Sequence, residues 1–386
     1  MNVLDRPRLT GEQIEIGRTI TEFLAEYSSE PAVRALMATE AGFDPAVWSR
    51  LADLGIPGLA VPECYGGLGL GLTELSLVMQ AAGEVLLCAP LLSSAVLAAT
   101  VLLQVGDESA RAELLPGIAD GTSRLAVAAP TTPGTAVEIT ADAYAGGWSL
   151  SGRARQVIDG ATATGLLVAA RSTSGLGFFA VDPDAAGLSR RSLTTLDPTR
   201  KLALIEFREV AARPVSGPDP VAGWTRCLDV ARSMLAAEQV GGAERCLRTA
   251  VQYAKDRVQF GRPIGSFQAI KHTCANMLIT LESARASMVE AVRVVDSPDR
   301  QDRDLAAAAS LAALVCSDAY FSIASDALHV HGGIGFTWEH SSHLYFRRAK
   351  STQLLLGGAD QMRERLLTMA ALAETPGVAA SAGSAA

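Results

Sequence analysis

An α+β chain with its helices and strands segregated is predicted by three observations. Helical periodicity dominates to about residue 121, short β-prone runs broken by turn residues fill 122–213, and helical periodicity returns at 222 and persists to about 372. This order divides the 386 residues into an N-terminal α-helical domain (1–121), a small antiparallel β domain (122–213), a C-terminal four-helix bundle (222–374) and a disordered Pro/Gly/Ala/Ser-rich tail (375–386). No glycine-rich Gly-x-Gly-x-x-Gly turn follows a strand, so a Rossmann-type dinucleotide fold is not supported.

Each element has its own signal. Ile16, Ile20, Phe23, Leu24 and Tyr27 recur at helical spacing and predict an amphipathic helix over 12–27. A second helix is expected over Val47–Leu54. The stretch from Val61 to Gly71 is too glycine-rich for a helix interior. Thr73 and Glu74 start a helix running to Leu86, and further helices are expected at about 91–104 and 107–116. Strands are expected at Leu125–Ala129, Val137–Thr140, Thr164–Ala170, Gly177–Val181 and Leu202–Phe207. Gly146-Gly147 turns the chain between Tyr144 and Trp148. Pro214, Pro218 and Pro220 mark an exit linker. Long helices follow at about 222–255, 266–296, 302–328 and 342–372, the second with an apolar face of Phe267, Ile270, Cys274, Met277, Leu278 and Leu281.

With 49% hydrophobic and 19% charged residues, the chain can bury a substantial core. A net charge of −8 makes nucleic acid a poor partner. The six cysteines form no CxxC pair, as expected of free thiols in a reducing cytoplasm rather than a zinc site or disulfide framework. The start, MNVLDRPRLTGEQ, lacks a signal-peptide core. Pro90 and Ser93-Ser94 interrupt the apolar run 86–103, which is expected to be core helix and not a membrane span.

Two segments carry candidate chemistry. Arg257 near a helix end, Phe260 just before a Gly261–Gly265 turn and Gln268 at the start of the next helix converge on one bundle corner. A cation, an aromatic ring and an amide suit a dinucleotide, although a plain helix–loop–helix corner with a paired arginine has the same residues. In the second segment, His329-Val-His-Gly-Gly-Ile-Gly, Gly332, Gly333 and Gly335 either end a helix or let another group approach the backbone closely. Four of the five histidines lie in 329–343, but their spacing matches no compact zinc pattern, so no metal is expected.

Taken together these segments resemble the acyl-CoA dehydrogenase family, over about residues 12–370. Pro62-Glu-Cys-Tyr-Gly-Gly-Leu-Gly looks like its loop near the acyl pocket. Arg257-Val-Gln-Phe-Gly with Gln268 looks like the arm that crosses a subunit interface to FAD, and His-Gly-Gly-Ile-Gly looks like its FAD-diphosphate loop, with His329 where Gln is usual. The resemblance implies FAD as cofactor, Arg257, Gln259, Phe260, Gln268, His329, Gly332 and Gly333 as its contacts, an oligomer, and α,β-dehydrogenation of an acyl-CoA thioester. An electron-transfer flavoprotein or similar acceptor is implied as well.

That reaction needs a carboxylate to take the α-proton while the flavin accepts hydride from the β-carbon. The family's usual Glu position is occupied by Leu356, and its alternative position by Ala231; neither can accept a proton. The flavin-ring segments depart too, at Ala128–Thr135 and at Gln156-Val-Ile158, where an aromatic and a hydroxyl are usual. The sequence therefore most resembles the partner subunit of bacterial heteromeric acyl-CoA dehydrogenases, as in sterol side-chain degradation, in which a paralogue supplies the base. A self-sufficient enzyme with a relocated acid (Asp360, Glu238 or Asp159) and a non-catalytic acyl-CoA-binding scaffold are the alternatives.

Overall fold

The computed structural model describes residues 9–131 and 135–374. The expected tail (375–386), the start of the chain and part of the 128–135 loop lie outside the described residues.

Six α-helices come first: α1 (Gly11–Tyr27), α2 (Glu30–Met37), α3 (Pro45–Asp53), α4 (Leu72–Glu84), α5 (Ala99–Gln104) and α6 (Glu108–Ala119). Thr10 and Gln13 form a reciprocal capping box on α1, and Asp44 accepts from the Ala46 N–H ahead of Pro45 in α3. Helix α2 has no counterpart in the expected elements. It is eight residues long and buries one apolar residue, Val33, too little to give a period. Residues Leu91–Ala98, expected as ordinary helix, form a fully buried π-helix continuous with α5.

Seven strands follow: β1 (Leu125–Ala128), β2 (Thr140–Tyr144), β3 (Gly147–Ile158), β4 (Gly165–Ser172), β5 (Gly175–Val181), β6 (Leu188–Ser192) and β7 (Leu202–Pro214). The hairpin at Gly146-Gly147 joins β2 to β3 in register Tyr144↔Gly147. The sheet is not purely antiparallel: β1 runs parallel to β4, and β2 meets β4 in parallel at Thr140↔Arg171. Because β5 pairs with both β4 and β7, the path β4–β2–β3–β7–β5 closes on itself. The expected strand Val137–Thr140 begins only at Thr140. Opposite it, Gly152 sits at φ +135° in a register shift, and a Cβ there would lie 2.3 Å from the Glu138 carbonyl oxygen. The alternation of the strands divides the sheet's two faces: Leu125, Val127, Leu167, Ala169 and Phe178 join the core of the helices, while Ala126, Val168, Leu150, Phe179 and Phe207 pack inside the closed sheet.

The chain then forms α7 (Pro220–Asp256), a two-residue-per-strand hairpin of β8 (Val258–Gln259) and β9 (Arg262–Pro263), α8 (Gln268–Asp296), α9 (Asp302–His331), α10 (Ser342–Leu354) and α11 (Ala359–Glu374). Asp219 caps α7 and Pro220 occupies its first turn. The last expected helix, 342–372, is thus two helices. Leu356 at φ +62° and Gly357 at φ +107° take the left-handed region and break it. Of the expected α8 face, Met277 and Leu281 are buried, whereas Leu278 points outward. Helix α9 is long and apolar enough, by composition, to cross a membrane, but it packs along α7 and α8 as a bundle helix.

The helical parts share one core. Glycines let α4 and α7 cross in near contact: a Cβ at Gly83 would lie 1.9 Å from the Glu238 carbonyl oxygen, and one at Gly241 1.9 Å from that of Gln80. Asp296 at the end of α8 accepts from Leu72 N and Thr73 N, 2.8 and 2.6 Å, and so caps α4.

Candidate functional site

Helix α7 ends at Arg257, and β8–β9 project from the bundle as an arm. Arg257, Gln259, Phe260 and Gln268 are all exposed. Phe260 stands at φ +53° and is 93% exposed, held only edge-on to Phe267 at 6.1 Å between ring centroids. Arg262 stacks over Phe267 at 4.2 Å, which stiffens the hairpin. Gln259 donates to the carbonyl of Val258. The structure thus brings a cation, a ring and two amides onto one projecting corner, with Arg257 in no ion pair among the described residues.

The second glycine segment ends α9. Gly332 takes φ +66°, and a Cβ on Gly332 or Gly333 would meet nothing within 4 Å, so the backbone there is open to a close-lying group. Gly335 instead packs against Leu328 and His331. His329 is exposed, with Nδ1 2.9 Å from the Ser325 carbonyl oxygen. His331 is buried, against Tyr253 and His340. Burial holds its pKa below the ordinary value, with His340 adding to the effect and the Ala327 carbonyl opposing it. Among the described residues no three His, Cys, Asp or Glu side chains are placed to hold a metal.

Both family base positions are buried and neutral. Ala231 lies inside α7, and Leu356, 1% exposed, sits in the α10–α11 break. Arg232 Nε donates to the Leu356 carbonyl at 2.9 Å, and its Nη1 pairs with Asp229 at 2.8 Å; Arg365 also binds Asp229. Arg232 thus fastens the break where an acid would stand, and Arg365 holds the Asp229 that pairs with it.

The three alternative acids are otherwise engaged. Glu238 is held between Arg200 and Arg348, and Arg348 also binds Asp197 at 2.7 Å. Burial works to raise the Glu238 pKa, but the two guanidinium groups outweigh it and leave it low. Asp360 is fully exposed and pairs with Arg363 on its own helix. Asp159, at φ +53°, accepts from Ser93 Oγ at 2.6 Å, and burial pushes its pKa up to about 6.

Two cavities flank the loop after β1. One, of about 480 Å³, is lined by Thr131, Thr135, Arg153, Arg155, Gln156, Ile158, Leu354 and Leu355, the region where a flavin-ring aromatic and hydroxyl were missing from the sequence. The other, of about 570 Å³, lies between β4–β5 and the start of α7. None of Asp159, Glu238 or Asp360 lines either cavity. Sequence reasoning gave Arg232 and Arg365 no role because their significance is relational: only the fold brings Arg232 to the Leu356 carbonyl and Arg365 to Asp229. Nearby in α7, Gly241 serves the α4 crossing and Glu238 an ion pair.

Comparison with known proteins agrees with this architecture. Residues 10–122 match the acyl-CoA dehydrogenase N-terminal domain and 222–372 the acyl-CoA dehydrogenase C-terminal domain. Acyl-CoA dehydrogenase IpdE2 of Mycobacterium tuberculosis is 35% identical over 92% of this chain and 96% of its own. The ChsE4–ChsE5 complex from Mycobacterium tuberculosis contains a chain 31% identical to this one, with a TM-score of 0.85 over 96% of this chain and 99% of that one. A variant of the Tcur3481–Tcur3483 steroid ACAD is 34% identical, with a TM-score of 0.85 over 94% of this chain and 98% of that one. The matched family models and these full-length relatives place the chain in the acyl-CoA dehydrogenase family of FAD-dependent oxidoreductases acting on CH–CH bonds.

Proposed function

We propose that this chain is the base-less subunit of a heteromeric acyl-CoA dehydrogenase. Its Arg257/Gln259/Phe260/Gln268 arm and its His329/Gly332/Gly333 turn complete an FAD site shared with a paralogous subunit, and the paralogue supplies the catalytic carboxylate. The observation that carries this reading is the contrast between the exposed arm and the two buried, neutral base positions, Leu356 and Ala231. Proton abstraction needs a carboxylate within hydrogen-bond reach of the α-carbon, and among the described residues the one carboxylate lining either cavity, Glu138, is exposed and paired with Arg153 at 3.0 Å.

The residues present fit FAD. Arg257 offers a charge-assisted contact to a diphosphate, Phe260 a free ring face, Gln268 a directional amide, and Gly332-Gly333 an open backbone. Bound FAD supplies the hydride acceptor for α,β-dehydrogenation of an acyl-CoA thioester, and an electron-transfer flavoprotein or similar carrier reoxidises it. The name of the steroid ACAD relative supports steroid or related lipid catabolism as the setting; the sterol side chain as substrate and the cytoplasm as compartment are part of the proposal.

The test is co-expression with a paralogue that carries an intact Glu, followed by an FAD count per subunit and dye reduction. Flavin and turnover should appear in the complex and be nearly absent from the isolated chain. Robust turnover by the isolated chain with stoichiometric FAD rejects the reading. Within the complex, Arg257→Ala should weaken FAD retention by roughly ten- to a hundredfold, the loss of a charge-assisted contact of about 1.5–3 kcal/mol. Unchanged flavin content in that variant removes Arg257 from the site.

A further inference from the structure

We propose that the cavity at the junction of α1, α2, α4, α7 and α10 binds a monocarboxylate of a few carbons, with Arg245 as the carboxylate's partner. No residue of the arm, the glycine turn or the two base positions lines it. The inference requires neither flavin nor a paralogue and so goes beyond the proposed function. It rests on an unpaired cation, unused hydroxyls and the size of the space before them.

The cavity, of about 240 Å³, lies where the N-terminal helices meet the bundle. Arg245 lines it from α7, and Tyr345 from α10, with its hydroxyl donating to the Glu84 carbonyl at 2.7 Å. Arg245 is half-buried, and its guanidinium makes no hydrogen bond or ion pair among the described residues. Two acids line the same cavity, but each already has a cation: Glu30 has Arg34 at 2.8 Å, and Glu84 has Arg248. Against these two carboxylates stand three guanidinium groups, so one positive charge, that of Arg245, is left over. Ser28 is 6% exposed, and its hydroxyl, like those of Ser29 and Ser341, makes no hydrogen bond among the described residues. Ser29 also leaves the N-terminus of α2 without a side-chain cap, and the free N–H groups of that first turn border the same space.

A half-buried cation and a buried hydroxyl are both costly without partners. An anion that accepts from Arg245 and Ser28 removes both costs at once. The charge count selects a monoanion, since a phosphate dianion would bring a second, uncompensated negative charge toward Glu30 and Glu84. The volume selects a short molecule, because drug-sized ligands take roughly 300–1,000 Å³. Leu24, Val33, Leu86 and Leu344 give its tail an apolar wall. A ligand held there ties α1 and α2 to α7 and α10, and so the N-terminal helices to the bundle.

The full-length chain should be titrated by calorimetry with butyrate, 1-butanol and inorganic phosphate. Butyrate should bind at one site, at least roughly tenfold tighter than butanol or phosphate. Butyrate should also raise the unfolding temperature, and butanol at the same concentration should not. Arg245→Met deprives no described group of a hydrogen bond, so it should fold as the parent does. It should bring butyrate and butanol within about twofold of each other. Ser28→Ala should weaken butyrate by roughly two- to tenfold and spare butanol. Thr21→Trp, made at an exposed position of the cavity wall, should block both ligands. Equal binding of butyrate and butanol by the parent chain would overturn the proposal without recourse to any variant. Phosphate binding as tight as that of butyrate would overturn the choice of a carboxylate. Butyrate binding left unchanged by both Arg245→Met and Thr21→Trp would put the ligand elsewhere and overturn the site. Absence of any butyrate binding would overturn it too, and would mean that water alone fills the cavity and solvates Arg245.

Discussion

Asp159 shows how a single residue links the π-helix to the sheet. It takes a hydrogen bond from Ser93 in the buried π-helix and sits at φ +53° just past β3. Burial raises its pKa to about 6, against donation from Ser93 and attraction to Arg200. An acid whose folded pKa lies above its unfolded value binds more protons in the folded state. Its contribution therefore opposes stability fully above about pH 6, and the opposition fades as pH falls toward the unfolded value near 4. Asp159→Asn keeps an acceptor for Ser93 and a side chain at ease in the left-handed region. It should stabilise the chain at pH 7 by an amount on the order of 1–3 kcal/mol, a gain that shrinks toward pH 4. Chemical denaturation of both forms at several pH values measures this. A constant difference across that window would show that the carboxyl does not titrate as described. The sequence named Asp159 only as a possible relocated acid; that role needs a path to a cavity, and path and burial are properties of the fold.

At the scale of elements, the break between α10 and α11 holds the most functional information. The sequence reading expected one helix over 342–372, because the apolar period continues on both sides and Gly357-Gly358 alone can be tolerated within a helix. What ends the helix is the combination of Leu356 and Gly357, both at positive φ, with Arg232 of α7 fastening the turn and Arg365 tying α11 to Asp229 of α7. The long, strongly periodic helices α1, α7, α8 and α9 were legible almost to their ends. The π-helix, α2, β6 and the parallel pairing of β1 with β4 were not, since short or fully buried segments carry no period and pairing direction leaves no local mark. The Arg257 arm was legible because its residues lie within a dozen positions of one another. Leu356→Glu tests what the break lacks. Glu would restore a carboxylate beside Arg232, yet Gln156, Thr131 and Thr135 of the neighbouring cavity would remain unchanged. The isolated variant is expected to show no acyl-CoA turnover in a dye-reduction assay. Measurable turnover would mean that the acid alone was missing and that this chain holds a competent flavin pocket.

At the scale of the whole molecule, exposed apolar side chains gather on the bundle and its arm. Phe260 is 93% exposed, Ile279 66%, Leu278 49% and Leu367 71%, although α8 and α11 belong to the bundle. Isolated exposed apolar residues are ordinary, but several on one helical bundle together with a projecting ring suit a surface that is covered in an assembly. Obligate interfaces commonly bury more than about 2,000 Å² and are rich in such residues. Ile279→Asp is the discriminating change. In the single chain the side chain already faces water, so folding stability should shift by no more than about 0.5 kcal/mol. In an assembly it would place an unpaired charge in an apolar contact, a penalty of several kcal/mol, and association with the paralogue should weaken by at least roughly a hundredfold. Leu196→Asp, at an exposed position on the loop between β6 and β7, is the matched control and should leave association unchanged. Sedimentation of the co-expressed pair as a function of concentration reads both. If Ile279→Asp assembles as tightly as the parent, α8 does not form the contact, and the covered face must lie on the Leu354–Leu367 side of the bundle.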